Sequence, residues 1–143
     1  MPPIKFFHPI EVRYGDLDPQ GHVNNAKYLT YFEQARVGYL IQLGLFQKGL
    51  SFLEIGMIIA DIHIVYRAPI LWETPVKVGA GISRLGNKSF TFTQNVVHAE
   101  TGQVFAEGEV IMVAYDYHSE QTVRIPDDWR KIICAFEGLK QKD

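Results

Sequence analysis

From Asn24 to Gly44 the chain carries one long segment with helical spacing, and from Met57 onward almost every stretch alternates with a period of two. That combination leaves few folds, because one helix and one antiparallel sheet must bury their apolar faces against each other. In the helical segment Leu29, Phe32, Arg36, Tyr39, Leu40 and Leu43 recur at three- and four-residue steps, and Tyr28 and Ala35 widen the apolar side. Lys27, Thr30, Gln34, Gly38 and Gln42 leave only a narrow polar or small stripe opposite. A helix of about five turns with so much apolar surface is expected to be wrapped by other structure. Asn24 or Asn25 is the expected N-cap, and Gly44 the stop.

The segments around it read as strands. Phe6 to Tyr14 is a strand in which Pro9 belongs at an edge or a bulge. Phe46 to Gly56 is a connector expected to pack its Phe and Leu residues. In the next strand Ile58, Ala60, Ile62, Ile64 and Tyr66 share one face, with Ile59, Asp61, His63, Val65 and Arg67 on the other, up to Pro69. Thr74 to Ile82 alternates toward a turn at Gly86-Asn87, and Phe90 to His98 alternates after it. Glu100-Thr101-Gly102 signals a hairpin into Val104–Tyr117. Pro126-Asp127-Asp128 then opens a short helix with Trp129, Ile132, Ile133 and Phe136 on one side, closed near Gly138. The expectation is an α+β domain over residues 1–143, its last four strands an antiparallel meander wrapped around one central helix, with a short C-terminal helix. Such a sheet leaves an open edge, so pairing with a second copy, as a homodimer or homotetramer, is expected.

Composition removes several function classes. A net charge of −2 with scattered Lys and Arg argues against nucleic acid as partner. The single cysteine, Cys134, excludes an internal disulfide framework, and no Cys or His cluster has zinc-site spacing. No run is long and apolar enough for a signal peptide or a membrane span, which makes the cytoplasm the default location and the membrane no partner.

The chemistry concentrates before the helix. Asp16 and Asp18 lie in a loop just upstream of a helix start whose unpaired N–H groups attract negative charge, an oxyanion included. An acid/base or nucleophile thus stands beside an oxyanion site. Asp16 reads as a turn former. His22 reads either as a general acid or orienting group, or as a loop anchor, and no third ligand lies near enough in sequence for a metal. Glu33 and Arg36, three apart, are expected to form a buried ion pair. Asp61, His63 and Arg67 either line a pocket or form a solvated strand face. Arg84, Lys88 and Ser89 surround a turn.

The run Tyr14–Arg36, Y-G-D-L-D-P-x-G-H-V-N-N-x-x-Y-L-x-Y-F-E-x-A-R, resembles the hotdog-fold acyl-CoA thioesterases, in particular the 4-hydroxybenzoyl-CoA thioesterase-like group. The resemblance implies hydrolysis of an acyl-CoA to acid and coenzyme A without a metal or redox cofactor. It places the family aspartate on Asp18, as nucleophile or general base, and the helix N-terminus that holds the thioester oxygen around Asn24 and Asn25. It implies a dimer with acyl-CoA in a groove between protomers, and phosphates of coenzyme A near Arg84, Lys88 and Ser89. Two alternatives accompany it: an acyl carrier protein thioesterase, and a non-catalytic acyl-CoA-binding hotdog protein.

Overall fold

The computed structural model of the chain describes residues 3–140. Its elements are β1 (Phe6–Ile10), α1 (Lys27–Gln42), β2 (Met57–Tyr66), β3 (Val76–Leu85), β4 (Ser89–His98), β5 (Val104–Asp116), β6 (Gln121–Thr122) and α2 (Asp127–Glu137). The sheet runs β1-β3-β4-β5-β2, with β6 attached to β5, and each of these pairings is antiparallel. This is the curled sheet around a long helix that the hotdog fold requires. None of the described helices is long and apolar enough to cross a membrane.

The expected four-strand meander holds only for β3, β4 and β5. β2 pairs with β5 at the far edge and never meets β3. Alternation says which face a residue takes, not which strand it sits beside, so the crossover left no trace in the pattern. The first strand also ends at Ile10 instead of Tyr14, because Tyr14–Asp16 is a short 3-10 turn.

α1 buries Tyr28, Tyr31, Phe32, Ala35, Arg36, Tyr39 and Leu40 against the sheet. Phe32, Tyr39 and Leu40 are completely buried with Val78, Ala80, Phe92, Val96 and Val110. Each large apolar side chain so buried contributes ~1.5–3 kcal/mol. The opposite stripe, Thr30, Glu33 and Gln34, is exposed. The expected Glu33–Arg36 ion pair is absent: Glu33 is exposed, whereas the buried Arg36 guanidinium donates to Gln94 Oε1 at 3.0 Å. Gln94 in turn donates to the Phe32 carbonyl at 3.0 Å, tying helix to sheet. Burial pulls the Arg36 pKa down to about 10, and the Glu33 charge opposes that only in part.

β1 reaches only to the Phe6–Ala80 pair, so beyond Ala80 the edge of β3 away from β4 has no strand on it. α2 fills that place. Glu137, buried near its end, accepts the Ile82 N–H and the Tyr39 hydroxyl, both at 2.7 Å. Gly138 at φ 72° closes α2 as expected. Its buried face is Ile133, Cys134 and Glu137, with Trp129 and Phe136 partly covered, while Ile132 is exposed.

Two further expectations change. A bulge between Ile59 and Asp61 shifts the phase of β2, so Ile59 lies opposite Met112 on the core side, with Ile62 opposite Val110. In the connector only Phe46 is buried; Leu50, Leu53 and Phe52 are exposed, the last by 74%.

Candidate functional site

The loop before α1 is folded around Asp18. Its Oδ1 accepts the N–H of Gln20 at 2.9 Å and of His22 at 3.4 Å, and its own N–H donates to the His22 carbonyl at 2.8 Å. Gly21, at φ 81°, makes the turn, a conformation other residues adopt only with strain. These bonds occupy one carboxylate oxygen. Oδ2 has no hydrogen-bond partner among the described residues.

Asp16 holds this loop from beneath. Only 1% of its surface is exposed, and its carboxylate accepts the Arg13 N–H at 3.0 Å and the Tyr31 hydroxyl at 2.8 Å. Its carbonyl accepts the Asn24 N–H at 2.8 Å. Burial by itself would raise the Asp16 pKa, but the Arg13 N–H, the Tyr31 hydroxyl and the Arg13 guanidinium together hold it below its ordinary value. The Tyr31 hydroxyl is pushed well up, by burial first and by Asp16 next. Asp16 is more than a turn former: one residue ties the segment after β1, the loop and α1 together.

The helix start differs from the expected cap. α1 begins at Lys27 with Ala26 in the N-cap position, and neither Asn caps it in the ordinary way. Asn24 Oδ1 instead accepts the Ala26 N–H at 2.9 Å, and the Asn24 carbonyl accepts the Lys27 N–H at 2.9 Å. The Tyr66 hydroxyl, from the end of β2, donates to the Asn25 carbonyl at 2.9 Å. The peptide between Asn25 and Ala26 is thereby fixed at both ends. The Asn25 N–H, one position earlier, has no acceptor among the described residues.

Asp18, His22 and Asn25 line one open cleft of about 450 Å³ together with Gln20, Tyr28, Tyr66, Arg67 and Pro69. Asn24 does not line it. Tyr66 packs edge-on against Tyr28, ring centres 5.0 Å apart, and burial raises both hydroxyl pKa values. Arg67 is anchored by Glu107, with Nη2 at 2.7 Å and Nε at 3.1 Å from Oε1. His22 is held in the loop through its backbone and by a bridge to Leu71. Sequence reasoning missed Tyr28 and Tyr66. The tyrosine ending β2 three residues before Pro69 was the available signal, but nothing in the pattern placed it beside Asn25.

Asp61 and His63 stand opposite Ile111 and Glu109 on the outer face of the sheet, away from the cleft. Arg84, Lys88 and Ser89 are farther still. Ser89 pairs with Val113, level with Ile58, eight residue steps along β2 from Tyr66, or about 26 Å. Lys88 is turned toward Thr122 Oγ1 at 3.5 Å. One protomer therefore does not bring this turn to Asp18. Among the described residues no group of three or more His, Cys, Asp or Glu side chains is placed to hold a metal ion.

Known proteins of similar sequence and structure set the fold in context. A family model described as thioesterase-like superfamily matches residues 12–133. The long-chain acyl-CoA thioesterase FadM of Escherichia coli K12 is 29% identical over 122 residues, 85% of this chain and 92% of that protein. The acyl-CoA thioester hydrolase YbgC of Escherichia coli O6:H1 is 29% identical over 132 residues, 92% of this chain and 96% of its own. A thioesterase from Thermus thermophilus, crystallised with coenzyme A and Zn, superposes with a TM-score of 0.80 at 31% identity, covering 92% of this chain and 94% of the other. With its curled sheet, central helix and matched length, the chain belongs to the thioesterase-like superfamily and has the hotdog fold of its acyl-CoA thioesterases.

Proposed function

We propose that the protein is a thioester hydrolase acting on acyl-CoA, with Asp18 as its catalytic carboxylate. The observation that carries this is the pairing, in one cleft, of an unpartnered Asp18 Oδ2 with an unpartnered Asn25 N–H at the start of α1. A thioester carbonyl seated between them meets a base or nucleophile on one side and a donor for its oxyanion on the other. Asp18 either attacks the carbonyl carbon, giving a mixed anhydride that water cleaves, or removes a proton from an attacking water. In both routes the tetrahedral oxyanion forms at the Asn25 N–H and collapses with loss of the thiolate of coenzyme A. His22, which lines the same cleft, orients the attacking water or protonates the thiolate. Asn24 acts by shaping the helix start, and Arg67 by its charge at the cleft rim.

The open cleft is completed by a second copy. β2 is a ten-residue edge strand with Ile58, Ile59 and Tyr66 exposed. Two such strands running antiparallel about a two-fold axis near Ile62 set Asp61 of one copy beside the partner's His63. They also bring the partner's turn at Arg84, Lys88 and Ser89 to the Asp18 end, where those groups meet the phosphates of coenzyme A. The exposed Leu50, Phe52 and Leu53 of the partner arrive at the same end and supply apolar wall for the acyl chain. A single buried cysteine suits a reducing compartment, the cytoplasm.

The test is hydrolysis of short, long and aromatic acyl-CoAs, read as free thiol, with Asp18→Asn beside wild type. Asp18→Asn should fold and lose ~10²–10⁴ in kcat, the range for a positioned acid/base group. Near-wild-type kcat in the folded variant would remove Asp18 from the mechanism. Release of no thiol from any acyl-CoA by wild type would overturn the acyl-CoA reading and leave acyl carrier protein thioesters or a binding role.

A further inference from the structure

The first turn of α1 is irregular at one carbonyl. The Lys27 N–H donates to the Asn24 carbonyl at 2.9 Å and the Leu29 N–H to the Ala26 carbonyl at 3.3 Å, so this turn is closed by three-residue steps. The Asn25 carbonyl between them accepts no backbone N–H among the described residues. In a regular helix it would take the Leu29 N–H, four residues on. Its partner is instead the Tyr66 hydroxyl, at 2.9 Å. Tyr66 is itself firmly placed. It stands opposite Ala106 at the end of β2, and the Arg67 and Ala68 N–H groups that follow both donate to the Phe105 carbonyl, at 2.7 and 3.2 Å. Its ring lies edge-on to Tyr28, which is buried in the first turn of α1. The hydroxyl thus reaches the helix start from the sheet.

We propose that Tyr66 is a positioning residue for thioester hydrolysis: by holding the Asn25 carbonyl away from the helix, it fixes the direction of the Asn25 N–H that meets the oxyanion. The proposal rests on the acyl-CoA reading of this cleft. Two peptides meet at Asn25. The one before it carries the Asn25 N–H and is tied through the Asn24 carbonyl to Lys27; the one after it is tied through the Asn25 carbonyl to Tyr66. With both carbonyls held, rotation about the Asn25 backbone is blocked on either side. Without the hydroxyl, the Asn25 carbonyl is free to take the Leu29 N–H. That change regularises the turn and swings the neighbouring N–H away from the cleft. An oxyanion donor stabilises the transition state only when it is aimed beforehand at the place where the charge forms. Burial raises the Tyr66 pKa, so the hydroxyl remains a donor throughout the neutral range.

The test is Tyr66→Phe, which keeps the ring and its contact with Tyr28 and deletes only the hydroxyl. The side chain is 45% exposed, so the variant should fold. On an acyl-CoA that wild type cleaves, kcat should fall ~10–100-fold, less than the ~10²–10³ for outright loss of an oxyanion donor, with KM within about twofold of wild type. The apparent pKa values of kcat should match those of wild type, because Tyr66 moves no proton. Tyr66 ends the edge strand, so light scattering accompanies the kinetics and should return the wild-type assembly. A merely structural tie would lower Tm and leave kcat of the folded fraction intact. Wild-type kcat in the folded variant therefore overturns the proposal, as does a loss confined to KM or one that accompanies dissociation. A pH profile without its alkaline limb overturns it too, since Tyr66 would then be the proton donor. Failure of wild type to cleave any acyl-CoA removes the acyl-CoA reading and this inference with it; an active wild type with an equally active Tyr66→Phe removes this inference alone.

Discussion

Replacing Asp16 by Ala separates the residue that holds the active loop from the residue proposed to act in it. The carboxylate accepts two short bonds, from the Arg13 N–H at 3.0 Å and the Tyr31 hydroxyl at 2.8 Å. The contact with the Arg13 guanidinium, at 3.3 Å to a mostly exposed side chain, adds little because solvent screens it. Without the carboxylate the Tyr31 hydroxyl, in a residue only 4% exposed, loses its acceptor, a cost of ~1–3 kcal/mol, and the half-buried Arg13 N–H adds ~1 kcal/mol. The expected loss is ~2–4 kcal/mol, or roughly 10 °C in Tm for a domain of this size. Tyr31→Phe made alone and together with Asp16→Ala should yield a coupling energy of ~1 kcal/mol or more. The folded fraction should retain most of its turnover, unlike Asp18→Asn. The pH dependence has a definite sign. The folded Asp16 pKa lies below its ordinary 3.8, so its contribution is complete above that value and is lost as pH falls through the folded value. The Tm difference between wild type and Asp16→Ala should therefore be level from neutrality to mild acid and shrink below it. Equal melting temperatures at pH 7, or a difference that widens in acid, would refute the reasoning.

Two other outcomes follow from the fold. Glu137→Ala strands the Ile82 N–H and the Tyr39 hydroxyl in a buried setting, so chemical denaturation should show a loss of ~2–5 kcal/mol; a loss comparable to an ordinary surface substitution would mean water replaces the carboxylate there. Ile58→Lys/Ile59→Lys charges the open edge of β2, and light scattering should return monomer, with turnover falling in parallel. A variant that remains dimeric, or a monomer with full turnover, would dissociate the edge from the site.

The sequence carried the local part of this structure well. The helix, its apolar side, the turns at Gly86-Asn87 and Gly102, and the loop around Asp18 each rest on residues close together in the chain, where spacing and turn chemistry speak directly. The parts it concealed join distant residues. Spacing points Arg36 to Glu33, three positions away, whereas its partner is Gln94, which no periodicity links to it. Chain order points β2 to β3 whereas it pairs with β5, and the bulge at Ala60 exchanges the faces of Ile58 and Ile59 without any breaker residue to announce it. The candidate site was half legible for the same reason. Asp18, His22 and Asn25 come from one loop, whereas Tyr66 enters from a strand 41 residues beyond Asn25.

The two borders of the sheet have opposite fates in a crowded solution. On one, Pro9 offers no amide hydrogen, β1 is only five residues long, and beyond it Glu137 already occupies the Ile82 N–H. On the other, the ten-residue β2 pairs with β5 on one side and has no strand on its outer side among the described residues. Chains with two adhesive borders can add to one another indefinitely, as fibres do. A chain with one adhesive and one blunted border joins a single copy of itself, like to like, and then has no border left for growth. In the dimer proposed above, the blunted side would act as a chain terminator: growth through sheet edges would stop at two, even in a concentrated solution.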